Sequence, residues 1–350
     1  MGARMADGNR QLAIVIDLNK CMGCQTCTVA CKVQNSNDKG MDHQWWMKVN
    51  TMPGRGYPKD WEQMGGGYDA DGKVVLGKQP DMDDYGGAAM EFNYEEVLYG
   101  RQGQEVHLAP KVKPTWGPNW DEDVGSGEWP NAHFFYLPRL CNHCDKPSCA
   151  SACPHDAISQ GEDGLIQINE RVCETCSSQA CMSGCPYKEV YYNPVTMSAQ
   201  KCNGCTSRVA EGVAPACVRC CPGRAMWVDY LDNEEGTVHK AVKEYEVALP
   251  LHPEFGTQPN VFYVPPIGPM TYNEDRTLNE DKPRVPTEYL ESLFGPKVHD
   301  ALATLKAEMA KRRQDPKEES ELTDALVAKR YPELLGELSN DPGGIREVRE

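Results

Sequence analysis

The sequence predicts an α+β protein built of two small cysteine-bound units, with a long loop-rich insertion and a C-terminal helical arm. Three observations carry this expectation. Sixteen of the seventeen cysteines fall into four tight groups. Short apolar runs of strand character stand beside these groups. The first group is separated from the other three by a cysteine-free stretch rich in Gly, Pro, Trp and Asp.

Taken in order, Leu12, Ile14, Ile16 and Leu18 alternate with other residues and predict a strand leading into the first group, Cys21-x2-Cys24-x2-Cys27-x3-Cys31. The stretch that follows contains Trp45-Trp46, Gly65-Gly66-Gly67, Gly86-Gly87, Trp116, Trp120 and Trp129, and reads as loops with short strands. Loops of this length usually serve a function or pack on a partner. Group two is Cys141-x2-Cys144-x4-Cys149-x3-Cys153-Pro154, and group three, Cys173-x2-Cys176-x4-Cys181-x3-Cys185-Pro186, repeats its spacing. Group four is Cys202-x2-Cys205-x11-Cys217-x3-Cys221-Pro222. Leu165, Ile166 and Ile168 precede group three, and β-like runs follow the Cys-Pro steps at Ala157-Ile158, Val190-Tyr191-Tyr192 and Ala225-Met226-Trp227-Val228. Beyond the cysteines, 245–270 is Pro-rich and extended, 297–313 has helical periodicity through Val298, Ala301, Leu302, Leu305 and Met309, and Leu322, Ala325 and Leu326 suggest another helix.

Bulk composition bounds the function. Hydrophobic residues make up 40% of the 350 residues and aromatics 8%, a modest core for this length. Ordering the chain costs roughly 1–2 kcal/mol per residue. Metal–ligand bonds are the natural supplement, because metal-binding free energy doubles as folding free energy. The net charge of −16 excludes nucleic acid, which needs clustered positive charge. The cations present are threaded among the cysteines: Lys20, Lys32, Arg139, Lys146, Arg171, Lys188, Lys201, Arg208, Arg219 and Arg224. They read either as stabilisers of anionic clusters or as ordinary surface charge. No stretch approaches the roughly 20 apolar residues of a membrane span. Met1 to Gln11 has two arginines and no apolar run of signal-peptide type, so the chain is expected to be soluble and to carry no address of its own.

The spacings are those of iron–sulfur ligands. Three close cysteines wrap three corners of a cubane, and the fourth, pointing away, ligates the other cluster of its pair. A proline after that fourth cysteine turns the chain toward the next strand; group one has Lys32 there instead. Crossing the last ligands gives four sets: Cys21, Cys24, Cys27 and Cys221 (cluster 1); Cys31, Cys202, Cys205 and Cys217 (cluster 2); Cys141, Cys144, Cys149 and Cys185 (cluster 3); Cys153, Cys173, Cys176 and Cys181 (cluster 4). Cys220 is left over and is expected to be a buried apolar residue. Zinc is the competing reading, with His143 and His155 nearby, but zinc sites are built from pairs of C-x2-C and not from these longer runs. The histidines are expected beside the clusters or at the surface. Secretory disulfides fit the close spacings poorly.

Strand, cysteine loop, helical turn, Cys-Pro and strand is the layout of a bacterial two-cluster ferredoxin, here present twice. Residues 10–40 and 195–245 are expected to form the first unit, split by 41–130, a loop-rich insertion packing on a partner. Residues 131–194 form the second unit, and 246–350 an extended and helical arm on a partner subunit, or beyond residue 310 an acidic tail without fixed structure.

Several segments carry a resemblance: Ile16 to Cys21, Gly23 to Cys31, Phe135 to Cys141, Cys185-Pro186-Tyr187-Lys188 and Gly212-Val213-Ala214-Pro215. They resemble the β subunit of complex molybdenum oxidoreductases. Val247 to Thr257 and Asn260 to Pro266 are similar to the subgroup of ethylbenzene and dimethylsulfide dehydrogenases and selenate, chlorate and perchlorate reductases. Respiratory nitrate reductase and nitrite oxidoreductase β subunits are read as slightly more distant. The resemblance, over residues 10 to about 310, implies an α subunit with a molybdenum bis-pterin cofactor and one further cluster, and a haem b γ subunit at the other end. Cluster 1 would lie nearest the molybdenum, and cluster 4 at the exit. In many relatives the exit cluster is [3Fe–4S], a non-cysteine residue holding the second position of group three. Here that position is Cys176 and the following spacing is longer. Four [4Fe–4S] clusters are therefore expected; the alternative is three [4Fe–4S] and one [3Fe–4S], with Ser177 to Ala180 swinging Cys176 out of reach. Relatives with this tail are mostly periplasmic, exported folded on the α subunit, whereas nitrate-reductase relatives face the cytoplasm. The expected function is thus a non-catalytic electron-transfer subunit. The alternatives are a nitrate-reductase, nitrite-oxidoreductase or formate-dehydrogenase-like β subunit, or a non-redox, metal-stapled interaction protein. Gly65-Gly66-Gly67 lacks the flanking strand and helix of a nucleotide site.

Overall fold

The computed structural model describes residues 10–86, 125–174 and 176–340. Gly87, Trp116 and Trp120 of the expected insertion, and 341–350 of the expected arm, lie outside the described residues.

The chain opens with β1 (Leu12–Asp17), buried along its whole length, and α1 (Thr26–Asn35). Strand β2 (Met47–Met52) pairs antiparallel with β3 (Phe135–Leu140), so the two ends of the excursion between them are laced together. Helix α2 (Ser148–Ser151) is followed by the antiparallel pair β4 (Ile158–Gln160) and β5 (Ile166–Ile168). Helices α3 (Glu170–Cys173) and α4 (Ala180–Gly184) precede the pair β6 (Val190–Asn193) and β7 (Ser198–Lys201). Then come α5 (Thr206–Val209), α6 (Ala216–Arg219), β8 (Met226–Tyr230), α7 (Thr237–His239), β9 (Leu249–Pro250), β10 (Val261–Val264) and the antiparallel pair β11 (Met270–Tyr272) and β12 (Leu278–Pro283). Helices α8 (Thr287–Phe294), α9 (Val298–Gln314) and α10 (Glu321–Leu326) follow. Among the described residues no helix is long and apolar enough to cross a membrane.

One sheet of order β8-β1-β10-β9 organises the rest. Strand β1 lies at its middle, antiparallel to β8 and parallel to β10. Because side chains alternate across a strand, this sheet separates two apolar layers. Leu12, Ile14, Ile16, Met226, Val228, Val261 and Tyr263 face the layer that includes the cysteines. Ala13, Val15, Trp227, Phe262 and Val264 face a second layer closed by Val238, Leu305, Leu322 and Leu334. This is why β1 is buried on both faces, where its sequence suggested a one-faced alternation.

The second layer changes the reading of the C-terminal segment. Residues 246–340 are built into this chain: β9 and β10 belong to the central sheet, and α9 brings Leu305 onto its far face. Leu290, Leu293, Phe294 and Val298 pack into the cysteine-side layer. The helices are too polar for a core of their own, as their composition indicated, but each needs only one apolar stripe to cover a sheet. The insertion is likewise part of the fold where described. Trp61 is fully buried, and the Arg139 guanidinium stacks 3.5 Å from its ring centroid. The glycine run lies against the chain after α4, with Gly67 N–H donating to the Gly184 carbonyl at 3.0 Å. A Cβ at Gly66 would lie 2.9 Å from the Ser183 oxygen, so the run permits close backbone approach and makes no phosphate loop.

Candidate iron–sulfur centres

Local geometry follows the proline rule. After Cys153, Cys185 and Cys221 comes a proline, and α2, α4 and α6 end at or before the residue preceding these cysteines. Cys185 has extended backbone (φ −76°, ψ 115°), the region proline imposes on its predecessor. Cys31 has no such proline, and α1 runs through it to Asn35. The cysteines that precede proline share one donor arrangement. Ala157 N–H reaches Cys153 Sγ at 3.4 Å, Ala225 N–H reaches Cys221 Sγ at 3.4 Å, and the Glu189 backbone N–H donates to Cys185. At Cys31 the donors come from elsewhere: the Met47 backbone and Asn35 Nδ2, at 3.8 Å, which also reaches Cys205 Sγ at 3.5 Å. Ala199 N–H donates to Cys173 Sγ at 3.2 Å and Gly204 N–H to Cys202 Sγ at 3.4 Å.

Among the described residues, three C-x2-C loops carry a left-handed residue before their second cysteine. Gly23 (φ 67°) and Gly204 (φ 69°) fill that place in groups one and four; a Cβ would strike the Tyr136 ring or Leu165. In group two the same place holds His143, at φ 43°.

The thiols gather in four sets. Cys21 lies within electrostatic reach of Cys24 and Cys221, and Cys27 of Cys21, Cys220, Cys221 and Cys24. Cys217 is in reach of Cys31, Cys202 and Cys205. Cys149 is in reach of Cys141, Cys144 and Cys185. Cys181 is in reach of Cys153, Cys173 and Cys176. Neighbouring sets also lie within electrostatic reach of one another: Cys217 of Cys27, and Cys202 of Cys141. Cysteines of sets three and four lie on or next to α2 and α4, which pack together through Ser148 Oγ donating to the Gly184 carbonyl at 2.8 Å. The sets therefore succeed one another in the order one to four.

Burial raises the pKa of the Cys21, Cys31 and Cys181 thiols to about 12, with neighbouring sulfurs adding to the rise. Gathering thiolates out of water is stable only around a multivalent cation, whose binding releases their protons. Among the described residues no three Cys, His, Asp or Glu side chains converge closely enough to hold a single metal ion. Cys220 is half-buried, not buried, and stands beside Cys221 and Cys24 with its pKa raised to about 11, chiefly by burial.

Cations line these centres, some of them in the interior. Arg139, Lys188 and Lys201 are buried, while Arg171 lies at the surface. Lys20 Nζ is buried with no hydrogen-bond acceptor, 3.9 Å from Asp17, and borders the cavity between Cys21, Cys24, Cys27 and Cys221. The sequence reading missed Lys48, which lies in the cysteine-free insertion. Lys48 is fully buried, 2.5 Å from Glu189, in electrostatic reach of both Cys31 and Cys185, and burial pushes its pKa down to about 8. A lysine inside the short strand MKVNTM was the only signal. His143 is buried, whereas His155 is exposed.

The model of the 4Fe-4S dicluster domain family matches residues 132–230. The chain is 51% identical over 322 residues to the selenate reductase subunit beta of Thauera selenatis, covering 91% of this chain and 96% of that protein. It is 48% identical over 327 residues to the dimethylsulfide dehydrogenase subunit beta of Rhodovulum sulfidophilum, covering 93% and 98%. It is 49% identical over 333 residues to the respiratory nitrate reductase subunit beta of Haloferax mediterranei, covering 92% of each. The greater distance expected for nitrate-reductase relatives does not hold for this one.

Proposed function

Because the chain belongs to the family of iron–sulfur β subunits of molybdenum oxidoreductases, we propose that it holds four clusters on the four cysteine sets above, between a molybdenum α subunit and a haem b γ subunit. It is an electron-transfer subunit and not itself catalytic. The observation that carries the cluster reading is the gathering of sixteen cysteines into four sets, each completed by a cysteine from another sequence group. When bound, the clusters supply one-electron carriers. The chain's own residues place them in sequence, exclude water, and aim N–H groups and cations at sulfur, which stabilises the reduced forms. Sets one and two would form one ferredoxin-like unit and sets three and four the other. Purified complex is expected to contain about sixteen β-subunit irons with matching acid-labile sulfide; zinc, or far less iron, would overturn the reading.

The fourth centre is proposed as [4Fe–4S]. Cys176 stands with Cys153, Cys173 and Cys181, and its N–H donates to the Cys173 carbonyl at 2.9 Å. Oxidised complex should lack the isotropic EPR signal of a three-iron cluster, and Cys176→Ala should produce it at the cost of about one iron per chain. That signal in the untreated native complex would refute the assignment. Export to the periplasm on the α subunit is proposed from the family resemblance; recovery of the assembled complex in the cytoplasmic fraction would overturn it.

A further inference from the structure

His143 has a buried donor that no described residue uses. Its Nδ1 accepts the Ile166 N–H at 3.0 Å, so in the neutral ring the proton sits on Nε2. Nε2 is buried and has no hydrogen-bond partner. Leaving such a donor unmet in the interior is costly. The backbone adds to the cost, because a non-glycine residue at φ 43° occupies a place filled by glycine in groups one and four. His143 belongs by sequence to the loop of Cys141 and Cys144, yet it borders the cavity between Cys31, Cys202, Cys205 and Cys217. The Asn260 amide holds the loop, donating to the His143 carbonyl at 2.9 Å and to Asp145 at 2.7 Å. The ring is thus pinned from one side, with its free N–H at the other.

We infer that His143 Nε2–H donates a hydrogen bond to a sulfur of the cluster held by Cys31, Cys202, Cys205 and Cys217, making it a positioning residue that raises the potential of a cluster its own loop does not ligate. The inference rests on the cluster assignment proposed above. A donor to sulfur stabilises the more negative, reduced cluster. His143 spans the junction between the second and third centres, so this bond ties the potential of one to the loop of the next.

The test uses the whole purified complex and potentiometric EPR of each cluster. Two variants delete the donor: His143→Leu keeps bulk, and His143→Gly restores the residue that the sister loops carry at this backbone conformation. Each should shift one cluster about tenfold toward its oxidised form, about 59 mV for a one-electron couple, leaving the others unchanged. In native complex labelled with 15N-histidine, the reduced signal of that cluster should show a nitrogen coupling in pulsed EPR, and His143→Gly should remove it. Full iron with unmoved potentials, or no histidine coupling in the native complex, would overturn the inference alone. Iron missing from the native second centre would overturn the assignment beneath it. The native labelling result decides the matter even if His143→Leu fails to assemble.

Discussion

Replacing Cys185 by serine is expected to remove about four irons from the chain and to stop electron transfer along it. Cys185 is buried and stands with Cys141, Cys144 and Cys149, yet it directly follows the helix that carries Cys181 of the fourth set. The packing around it leaves no room for adjustment: a Cβ at Gly184 would lie 2.7 Å from the Ala152 Cβ. A serine oxygen is a shorter and harder ligand than thiolate, and the rigid joint between α2 and α4 cannot move to compensate. The loss falls in the interior of a linear series of sites, so it separates the first two centres from the fourth. Reaction of the α subunit with a small artificial dye should persist, while exchange of electrons with the carrier at the far end falls to background. Cys220→Ser is the control, and should leave iron content unchanged. Normal transfer in Cys185→Ser would show that the third centre is not on the route.

Glu189→Gln is expected to destabilise the folded protein by about 3–5 kcal/mol. Lys48 Nζ lies 2.5 Å from one Glu189 oxygen and 3.0 Å from the Tyr191 hydroxyl. The Arg139 guanidinium lies 3.3 Å from the other oxygen, at ion-pair distance though outside hydrogen-bond geometry, and donates to Asn50 Oδ1 at 3.0 Å. None of the three charged residues is more than 2% exposed. Two cations therefore share one carboxylate out of reach of water. Removing its charge leaves both uncompensated, whereas deleting a whole pair is far milder. Denaturant midpoints, read from the visible absorbance of the clusters, should fall clearly in Glu189→Gln and recover in part in Lys48→Met/Glu189→Gln. An unchanged midpoint in the single variant would mean that the anionic clusters, not Glu189, neutralise these cations.

Much of the candidate site was legible from spacing, because ligation by a cysteine run is local. Three close cysteines mark three corners of a cubane, and the last cysteine of each group is expected to serve the other cluster of its pair. The crossing of last ligands between groups follows from the same rule. Short strands at 158–160, 166–168, 190–193 and 226–230 and the helix from Val298 were legible for a similar reason, since each is written in a run of neighbouring residues. Cys220 was placed less well, because the degree of burial of one sulfur depends on what packs beside it.

What spacing alone left undecided was long-range. The parallel pairing of Ile14 with Val261 joins residues far apart in sequence, and it makes one core of a strand expected in the first unit and a segment expected in an arm. The burial of Lys48 against Glu189, and the orientation of His143 toward another loop's cavity, depend on elements that meet only in the folded chain. By itself the sequence determined where cysteines crowd closely enough to be candidate cluster ligands, because spacing within a loop is local. Only the tertiary structure decided which charges and donors surround them, because removal from water is a property of the whole packed chain.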